Sequence, residues 1–221
     1  MKGGSATTSH AHMDAGSFVF ERDGVRWAMD LGMQSYITLE SRGVDLWNQR
    51  QDGQRWDVFR LGNMSHNTLT VNGQRHVVSG KAEIINTFRE PGHKGAVVNL
   101  TSTLANGLAR AIRTVALDEA DNLEVIDELA APTDSAAQIM WVMATPAEPR
   151  MIDGHIMELS KDGKRMRMYV DAGDMPLEMH VWDNNPPHDY DHPNPGSCRV
   201  GFTMTLPAGK HTAVKVKFTM I

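Results

Sequence analysis

The chain has 221 residues, of which 41% are hydrophobic and 22% charged, and its formal net charge is −5. These proportions are those of a globular domain and exclude disorder and collagen-like repeats. The acidic balance argues against a nucleic-acid binder, and a single cysteine, Cys198, excludes an internal disulfide. No apolar run approaches the roughly 18 residues that a membrane span requires.

The first residues lack the apolar segment of a secretory signal, so no signal peptide is expected in this chain. The first residue with functional chemistry, His10, follows almost at once. Because terminal residues tend to fray, a functional site so close to the start is unusual. We therefore expect residues 1–221 to be one domain cut from a longer protein.

Strand-like segments separated by turn residues run through the chain. Asp23-Gly24 separates Ser17–Glu21 from Val25–Leu31, and Asn72-Gly73 separates Asn67–Val71 from Gln74–Val78. Both dipeptides are typical of tight β-hairpins. Further strands are predicted at Ala82–Phe88, Ala96–Leu104, Ala109–Leu117, Leu123–Leu129, Gln138–Ala144, Arg165–Asp171, Glu178–Trp182, Val200–Leu206 and Ala213–Met220.

Alternation of apolar and polar residues supports this interpretation. Met166, Met168 and Val170 share one face of their segment, with arginines on the other. About a dozen short strands with no long helical period predict an all-β fold, a large antiparallel two-sheet β-sandwich with few or no helices. Glu40–Asp57 and the proline-rich Asp183–Ser197 are predicted loops.

The motif His10-x-His12-x-Asp14 is the first candidate site. In an extended segment these three residues share one face, and two imidazoles at this spacing suit a zinc ion. The alternative is a surface strand with two solvated histidines. Asp30 and His66 are candidate further ligands, because an aspartate and histidines form a common zinc set. Singly, Asp30 would cap the turn before Gly32, and His66 would bond to backbone.

Other candidates for binding have plainer alternatives. Arg60 could bind a substrate carboxylate through both guanidinium nitrogens, or pair with an acidic neighbour. Trp47 could stack on a sugar ring, or anchor its loop. The loop residues His188 to His192 are expected to be solvated, His76 has no partner at a meaningful spacing, and Cys198 is expected to be an inert thiol. Phosphate loops, nucleophile elbows and Cys-x-x-Cys motifs are absent, which disfavours a nucleotide-dependent enzyme.

Several of these motifs together resemble the heparinase II/III-like family. Lys2–Ser5 followed by Ser9–Phe18 is similar to the opening of that family's C-terminal domain. Gly24–Gly32, Arg60 and Ser65–Leu69 then follow in the family's order. The combination is specific, whereas each motif alone is not.

The resemblance implies a bacterial polysaccharide lyase with an N-terminal α/α toroid and a C-terminal antiparallel β-sandwich. Its substrates would be uronic-acid polymers such as heparin, heparan sulfate or alginate, cleaved by β-elimination. The full-length protein would be periplasmic or secreted. This chain would be the sandwich, and the toroid, with the family's main catalytic tyrosine, would be its partner.

The resemblance also assigns residues. His12, Asp30 and His66 correspond to the metal ligands, usually of zinc, with calcium as the alternative, and His10 corresponds to an active-site histidine. Some members carry a second tyrosine in the loop before the His-Asn-Thr motif. Here Glu40–Asp57 has none, although Tyr36 lies nearby.

Two other functions remain open from the sequence. The chain could be a non-catalytic carbohydrate-binding or structural module that kept the fold. It could also be an unrelated metal-dependent hydrolase, for which a complete set of protein ligands would be the sign. The four residues His10, His12, Asp30 and His66 occurring together favour the lyase.

Overall fold

The computed structural model describes residues 1–221 as fourteen strands, all paired antiparallel, with little helix. The strands are β1 Phe20–Arg22, β2 Val25–Ala28, β3 Leu69–Val71, β4 Glu83–Glu90, β5 His93–Asn99, β6 Arg110–Asp118, β7 Leu123–Ala130, β8 Ala137–Thr145, β9 Glu148–Met151, β10 Ile156–Lys161, β11 Lys164–Asp171, β12 Leu177–Asp183, β13 Cys198–Leu206 and β14 His211–Met220. The predicted all-β class is confirmed.

The strands form one large and two smaller sheets. The eight-stranded sheet has the order β4-β5-β6-β7-β14-β11-β10-β9, and the four-stranded sheet has the order β12-β13-β8-β3. The hairpin β1–β2 forms the third sheet, and a bridge from Met29 to Ala144 joins it to β8. Helix α1 (Tyr36–Glu40) and two 3₁₀ turns (Gln54–Asp57 and Asn63–Ser65) complete the regular structure. None of these helices has the length and apolarity to cross a bilayer.

The main hydrophobic core lies between the eight-stranded sheet and the four-stranded sheet, as expected of a sandwich. The predicted alternation in β11 is confirmed, because Met166, Met168 and Val170 are all buried. Trp141 of β8 stacks on Phe202 of β13 with ring centroids 5.8 Å apart. Apolar burial of this kind is the main stabilising contribution to the fold.

Of the two predicted hairpins, the one at Asp23-Gly24 is present, and the prediction of the one at Asn72-Gly73 is wrong. At Asp23-Gly24, Arg22 of β1 pairs with Val25 of β2 as predicted. Asn72 and Gly73 also adopt the left-handed turn conformation, but Gln74–Val78 forms no strand. The backbone N–H of Asn72 donates to Gln138, and the Asn72 side chain accepts from Gln138 in return. These bonds extend the β3–β8 pairing, so Asn72 pairs with β8 and not with the segment that follows it in sequence.

Two strands, β9 and β10, were not expected, and β5 begins at His93, before the predicted Ala96. The segment Glu40–Asp57 is largely irregular, as predicted, but it is well packed. With α1 and the residues after it, it forms a separate small core of Leu39, Val44, Leu46, Val58 and Leu61. Tyr36 and Tyr190 pack against this small core.

Candidate functional site

Three side chains from two distant segments converge at the edge of the sandwich. A ring nitrogen of His12, a ring nitrogen of His66 and a carboxylate oxygen of Asp14 all lie within 4.8 Å of one another. His66 is fully buried, and its Nε2 has no hydrogen-bond partner. A partly buried donor set of two imidazoles and a carboxylate, with one buried nitrogen unsatisfied, fits a zinc ion.

Asp30 contacts this cluster through His66. Its Oδ2 lies 2.7 Å from His66 Nδ1, and its Oδ1 accepts a hydrogen bond from the backbone N–H of Gly32 at 2.8 Å. Asp30 therefore caps the turn before Gly32, as its plainer alternative predicts, and also contacts His66 directly.

The surroundings of His12 and Asp30 favour the protonation states in which these side chains can bind a metal. Burial, and then the charge of His66, lower the pKa of His12 to about 4, so its imidazole is neutral at pH 7. Burial raises the pKa of Asp30, but the hydrogen bond and charge of His66 outweigh that effect and hold it at about 2. A neutral imidazole and ionised carboxylates are the forms that bind metals.

A buried ion pair supports the two segments from below. Arg113 of β6 and Asp127 of β7 form two hydrogen bonds, of 2.7 and 2.9 Å, and Trp141 Nε1 donates to the same carboxylate at 3.0 Å. Arg113 also donates to the carbonyls of Gly16 and Asn67, at 3.1 and 3.0 Å. The large sheet thereby holds the chain next to Asp14 and next to His66.

The Asn67 side chain connects three further segments. Its amide donates to the carbonyls of Phe18 and Met29, at 2.6 and 2.9 Å, and its carbonyl accepts from the N–H of Ala144. Because Met29 precedes Asp30 and Asn67 follows His66, one buried amide fixes the relative position of these two site residues.

His10 lies apart from His12, in a second group. The segment His10–Asp14 is irregular and not the expected extended strand, and His10 lies in a turn with a left-handed backbone, at φ of 61°. Its exposed ring stacks on Tyr36 with centroids 5.5 Å apart, and the edge of the ring meets Trp47. His10 Nδ1 and the Tyr36 hydroxyl are 3.3 Å apart.

Arg55 links the two groups. It is fully buried, and its Nη2 donates to the Ala11 carbonyl at 2.8 Å and to the Tyr36 hydroxyl at 3.3 Å. Its guanidinium also lies 5.4 Å from the centre of the Trp56 ring. Ala11 stands between His10 and His12, so this arginine positions both histidines relative to Tyr36.

A cavity of about 300 Å³ opens beside the cluster and is lined by Lys2 to Asp14 and by His76 and Thr103. Two of its lining residues, His76 and Thr103, each carry a buried side-chain atom (Nδ1 and Oγ1) that has no hydrogen-bond partner. Burial lowers the pKa of His76 to about 4, so this ring is neutral at pH 7. The cavity therefore offers polar groups and a histidine-rich wall to a ligand.

Some of the other candidates are placed differently from the expectation. Arg60 donates to Asn194 Oδ1 and to the carbonyls of Met33 and Pro193, so it fastens two loops and has no acidic side chain as a partner. Trp47 is 57% exposed and lies beside His10, with its Nε1 donating to Glu40.

The loop Asp183–Ser197 is irregular, as predicted, but it is not wholly solvated. Asp191 is buried, and its Oδ1 accepts from the N–H of Phe59, while burial raises the pKa of this carboxyl. His76, ten residues after His66 in sequence, is close to the site in space. Its Nε2 forms a hydrogen bond with the Leu69 carbonyl. Burial raises the pKa of the Cys198 thiol, as expected of an inert cysteine.

Sequence reasoning missed the residues that hold the site together. The sequence places Tyr36 near the loop but gives it no contact, and it gives no role to Arg55, Arg113 or Asp127. The only available signal was the proximity of Arg55 to Trp56 and of Asn67 to His66 in sequence. Neither shows which distant carbonyls these side chains reach.

An all-β sandwich with a histidine–aspartate cluster and a polar cavity at one end is the class that fold and site define. No curated protein sequence matches the chain significantly. Solved structures match its fold with TM-scores of 0.69 for a heparinase III gene product, 0.67 for another heparinase III and 0.62 for the heparan sulfate lyase HepC from Pedobacter heparinus. Sequence identities are 12%, 15% and 16%.

These likenesses cover 96–100% of the chain but only 30–32% of the solved enzymes, so the chain spans about a third of their length. The model of the family described as "Heparinase II/III-like, C-terminal" matches residues 1–195. The chain belongs to this family, as its motifs indicated.

Proposed function

We propose that this chain is the β-sandwich part of a polysaccharide lyase that cleaves uronic-acid-containing polysaccharides by β-elimination. Family membership and the fold shared with heparinase III and heparan sulfate lyase support this function. Substrates of the heparan sulfate or alginate type fit the same proposal. The observation that carries it is the pairing of His10 with Tyr36, because His10 also lines a cavity whose wall includes His12 and Asp14 of the metal cluster.

The chemistry requires a proton to leave C5 of the uronate while the bond from C4 to the glycosidic oxygen breaks. The electron pair becomes the C4–C5 double bond, and the departing oxygen takes up a proton. The C5 proton becomes acidic only when the adjacent carboxylate is neutralised, and donors placed where charge develops give the largest rate contribution.

His10 is suited to that neutralising role. Arg55 donates to the phenol oxygen of Tyr36, so the hydroxyl proton of Tyr36 is free to be donated to His10 Nδ1. The other nitrogen of the His10 ring then carries the proton and donates to the uronate carboxylate. Trp47, exposed at the edge of the His10 ring, provides an apolar surface on which a sugar ring can lie.

A zinc ion would be held by His12, Asp30 and His66, and calcium is the alternative metal. When bound it supplies positive charge and cross-links the two segments that carry these histidines. Because His12 is two residues from His10, fixing His12 also limits the movement of His10.

The rest of the enzyme would come from a toroid domain in the same polypeptide, which would supply the main catalytic base and much of the polysaccharide-binding surface. The full-length protein would act in the periplasm or outside the cell. We therefore expect the 221-residue chain alone to release no unsaturated uronate from any uronate polymer. Clear activity of the isolated chain would contradict this division of roles.

The test uses the full-length polypeptide that contains this chain, incubated with heparan sulfate, heparin and alginate. The readout is the ultraviolet absorbance of the unsaturated uronate product. His10→Ala and Tyr36→Phe should each lower kcat/KM, the former by about 10²–10⁴-fold. The matched control is His211→Ala, at an exposed histidine on β14, which should leave the rate unchanged. Binding of these polymers without cleavage by the unsubstituted protein would instead identify a carbohydrate-binding module.

A further inference from the structure

Arg199 of β13 is a buried cation that the proposed reaction does not use. Only 9% of the residue is exposed, and its guanidinium lies 5.1 Å from the centre of the Phe59 ring. Buried arginines are normally paired with an acidic group, as Arg113 is with Asp127. No carboxylate forms such a pair with Arg199, so the fold leaves this buried charge without a counter-ion.

The hydrogen bonds of Arg199 all go to the main chain. Its Nη1 donates to the Met64 carbonyl at 2.8 Å, and its Nε and Nη2 donate to the Asp183 carbonyl at 3.3 and 2.8 Å. These bonds use three of the five guanidinium N–H groups, so each Nη keeps one N–H without a partner. The Asp183 carboxylate instead accepts from the backbone N–H of Asn185 at 2.8 Å.

A groove of about 410 Å³ lies beside Arg199, and this volume is within the range of small-ligand clefts. Asp57 is the one acidic residue of its lining, and it pairs with Arg75. The charge of Arg199 therefore leaves the groove positive, on a chain whose formal net charge is −5. Polar and apolar side chains complete the lining, among them Asn63, Gln74, Asn185, Phe59 and Met64.

We propose that this groove binds the sulfate or carboxylate group of an acidic sugar unit, with Arg199 as the group that contacts the anion. A guanidinium matches either anion through two parallel N–H···O bonds. The choice of an acidic sugar rests on the proposed function, because the polysaccharides named there carry these groups. The groove shares no lining residue with the cavity beside His10, so it is a second site.

A third depression explains why a polymer fits this groove better than an isolated anion. It is lined by Val77, which also lines the cavity beside His10, and by Gln74 and Arg75, which also line the groove. The three hollows therefore adjoin one another along the surface. An extended polysaccharide can lie across them, with one acidic unit at Arg199 and other units nearer His10.

The experiment titrates the 221-residue chain calorimetrically with a heparan sulfate tetrasaccharide at low ionic strength. Asn185 is exposed and lines the groove, so Asn185→Glu places a carboxylate there that pairs with Arg199 and competes with the sugar. The affinity should fall roughly 10–100-fold, as expected from the loss of hydrogen bonds between charged groups. Asn185→Gln is the matched neutral control and should bind like the unsubstituted chain. Ser135→Glu adds the same charge in an exposed loop after β7 and should also bind normally.

Arg199→Gln should cause the same loss of affinity. Because Arg199 also fastens two loop carbonyls, the Asn185 variants keep the test decisive if this variant fails to fold. Equal affinities of Asn185→Glu and Asn185→Gln would overturn the site. Inorganic sulfate binding as tightly as the tetrasaccharide would overturn its assignment to a sugar.

Binding and cleavage separate this inference from the proposed function. Cleavage by the full-length polypeptide, together with equal affinities of the two Asn185 variants, would overturn the groove alone. Binding that depends on Arg199, with no cleavage of any uronate polymer, would overturn the lyase proposal alone.

Discussion

Two polar clusters of this protein differ in how completely their hydrogen bonds are satisfied: a lower cluster around Arg113 and Asp127, and an upper cluster around His66 and His76. In the lower one, the bonds between Arg113 and Asp127 satisfy both carboxylate oxygens, and Arg113 also caps two backbone carbonyls. In the upper one, His66 Nε2 and His76 Nδ1 have no partner at all. Native interiors rarely leave such atoms unpaired. The contrast indicates that the lower cluster is structural and the upper one is arranged for a ligand.

The largest expected effect comes from breaking the lower cluster. Arg113→Met leaves the Asp127 carboxylate buried without its partner and should lower the free energy of unfolding by about 3–5 kcal/mol. Urea denaturation followed by tryptophan fluorescence measures this loss. The control is Arg42→Met, which breaks an exposed pair with Asp189 and should cost at most about 1 kcal/mol. Similar losses in both variants would remove the distinction between buried and exposed pairs.

A slightly smaller effect concerns acid stability and His76. Its pKa is about 4 in the folded protein and 6.5 when unfolded, so the unfolded state binds more protons between these values. His76 therefore destabilises the fold as pH falls from 6.5 to 4, by about 3 kcal/mol in total. His76→Gln should remove this part of the pH dependence. The measurement compares unfolding of both proteins at pH 7.5 and pH 4 in the presence of a chelator, and parallel pH profiles would contradict the prediction.

Zinc should satisfy the upper cluster and stabilise the fold. At a free zinc concentration of about 100 times Kd, binding adds about 2.7 kcal/mol to the free energy of unfolding. The melting temperature should rise with zinc and fall again with chelator. His12→Ala should abolish this response, while His93→Ala, on an exposed histidine of β5, should preserve it. An equal response in both variants would place zinc elsewhere on the protein.

The smallest effect on stability is expected at Tyr36. Its hydroxyl bonds to His10 and Arg55 are both 3.3 Å long and lie partly in solvent, so Tyr36→Phe should change the free energy of unfolding by less than about 1 kcal/mol. The same denaturation experiment checks this. A loss as large as that of Arg113→Met would make Tyr36 a structural residue and weaken its proposed part in binding substrate.

Local sequence patterns predicted most of the sandwich and part of the site. Alternation located β11 and β14 because buried and exposed faces repeat every two residues. The wrong prediction at Asn72-Gly73 shows where local patterns stop being sufficient. The turn forms there, but the chain after it does not pair with the preceding strand. The same limit applies to Arg55, whose contacts are main-chain carbonyls and a tyrosine far along the chain. Such contacts are specified by the packed fold, and residue type alone does not indicate them.

The left-handed backbone of His10 restricts how this position can change over time. Asparagine and glycine adopt a positive φ more easily than other residues, whereas β-branched residues are strongly disfavoured there. A relative of this domain that has lost the histidine can therefore be expected to carry asparagine or glycine at the same place. Because such a replacement leaves the turn intact, one substitution can remove the imidazole and preserve the fold of the domain.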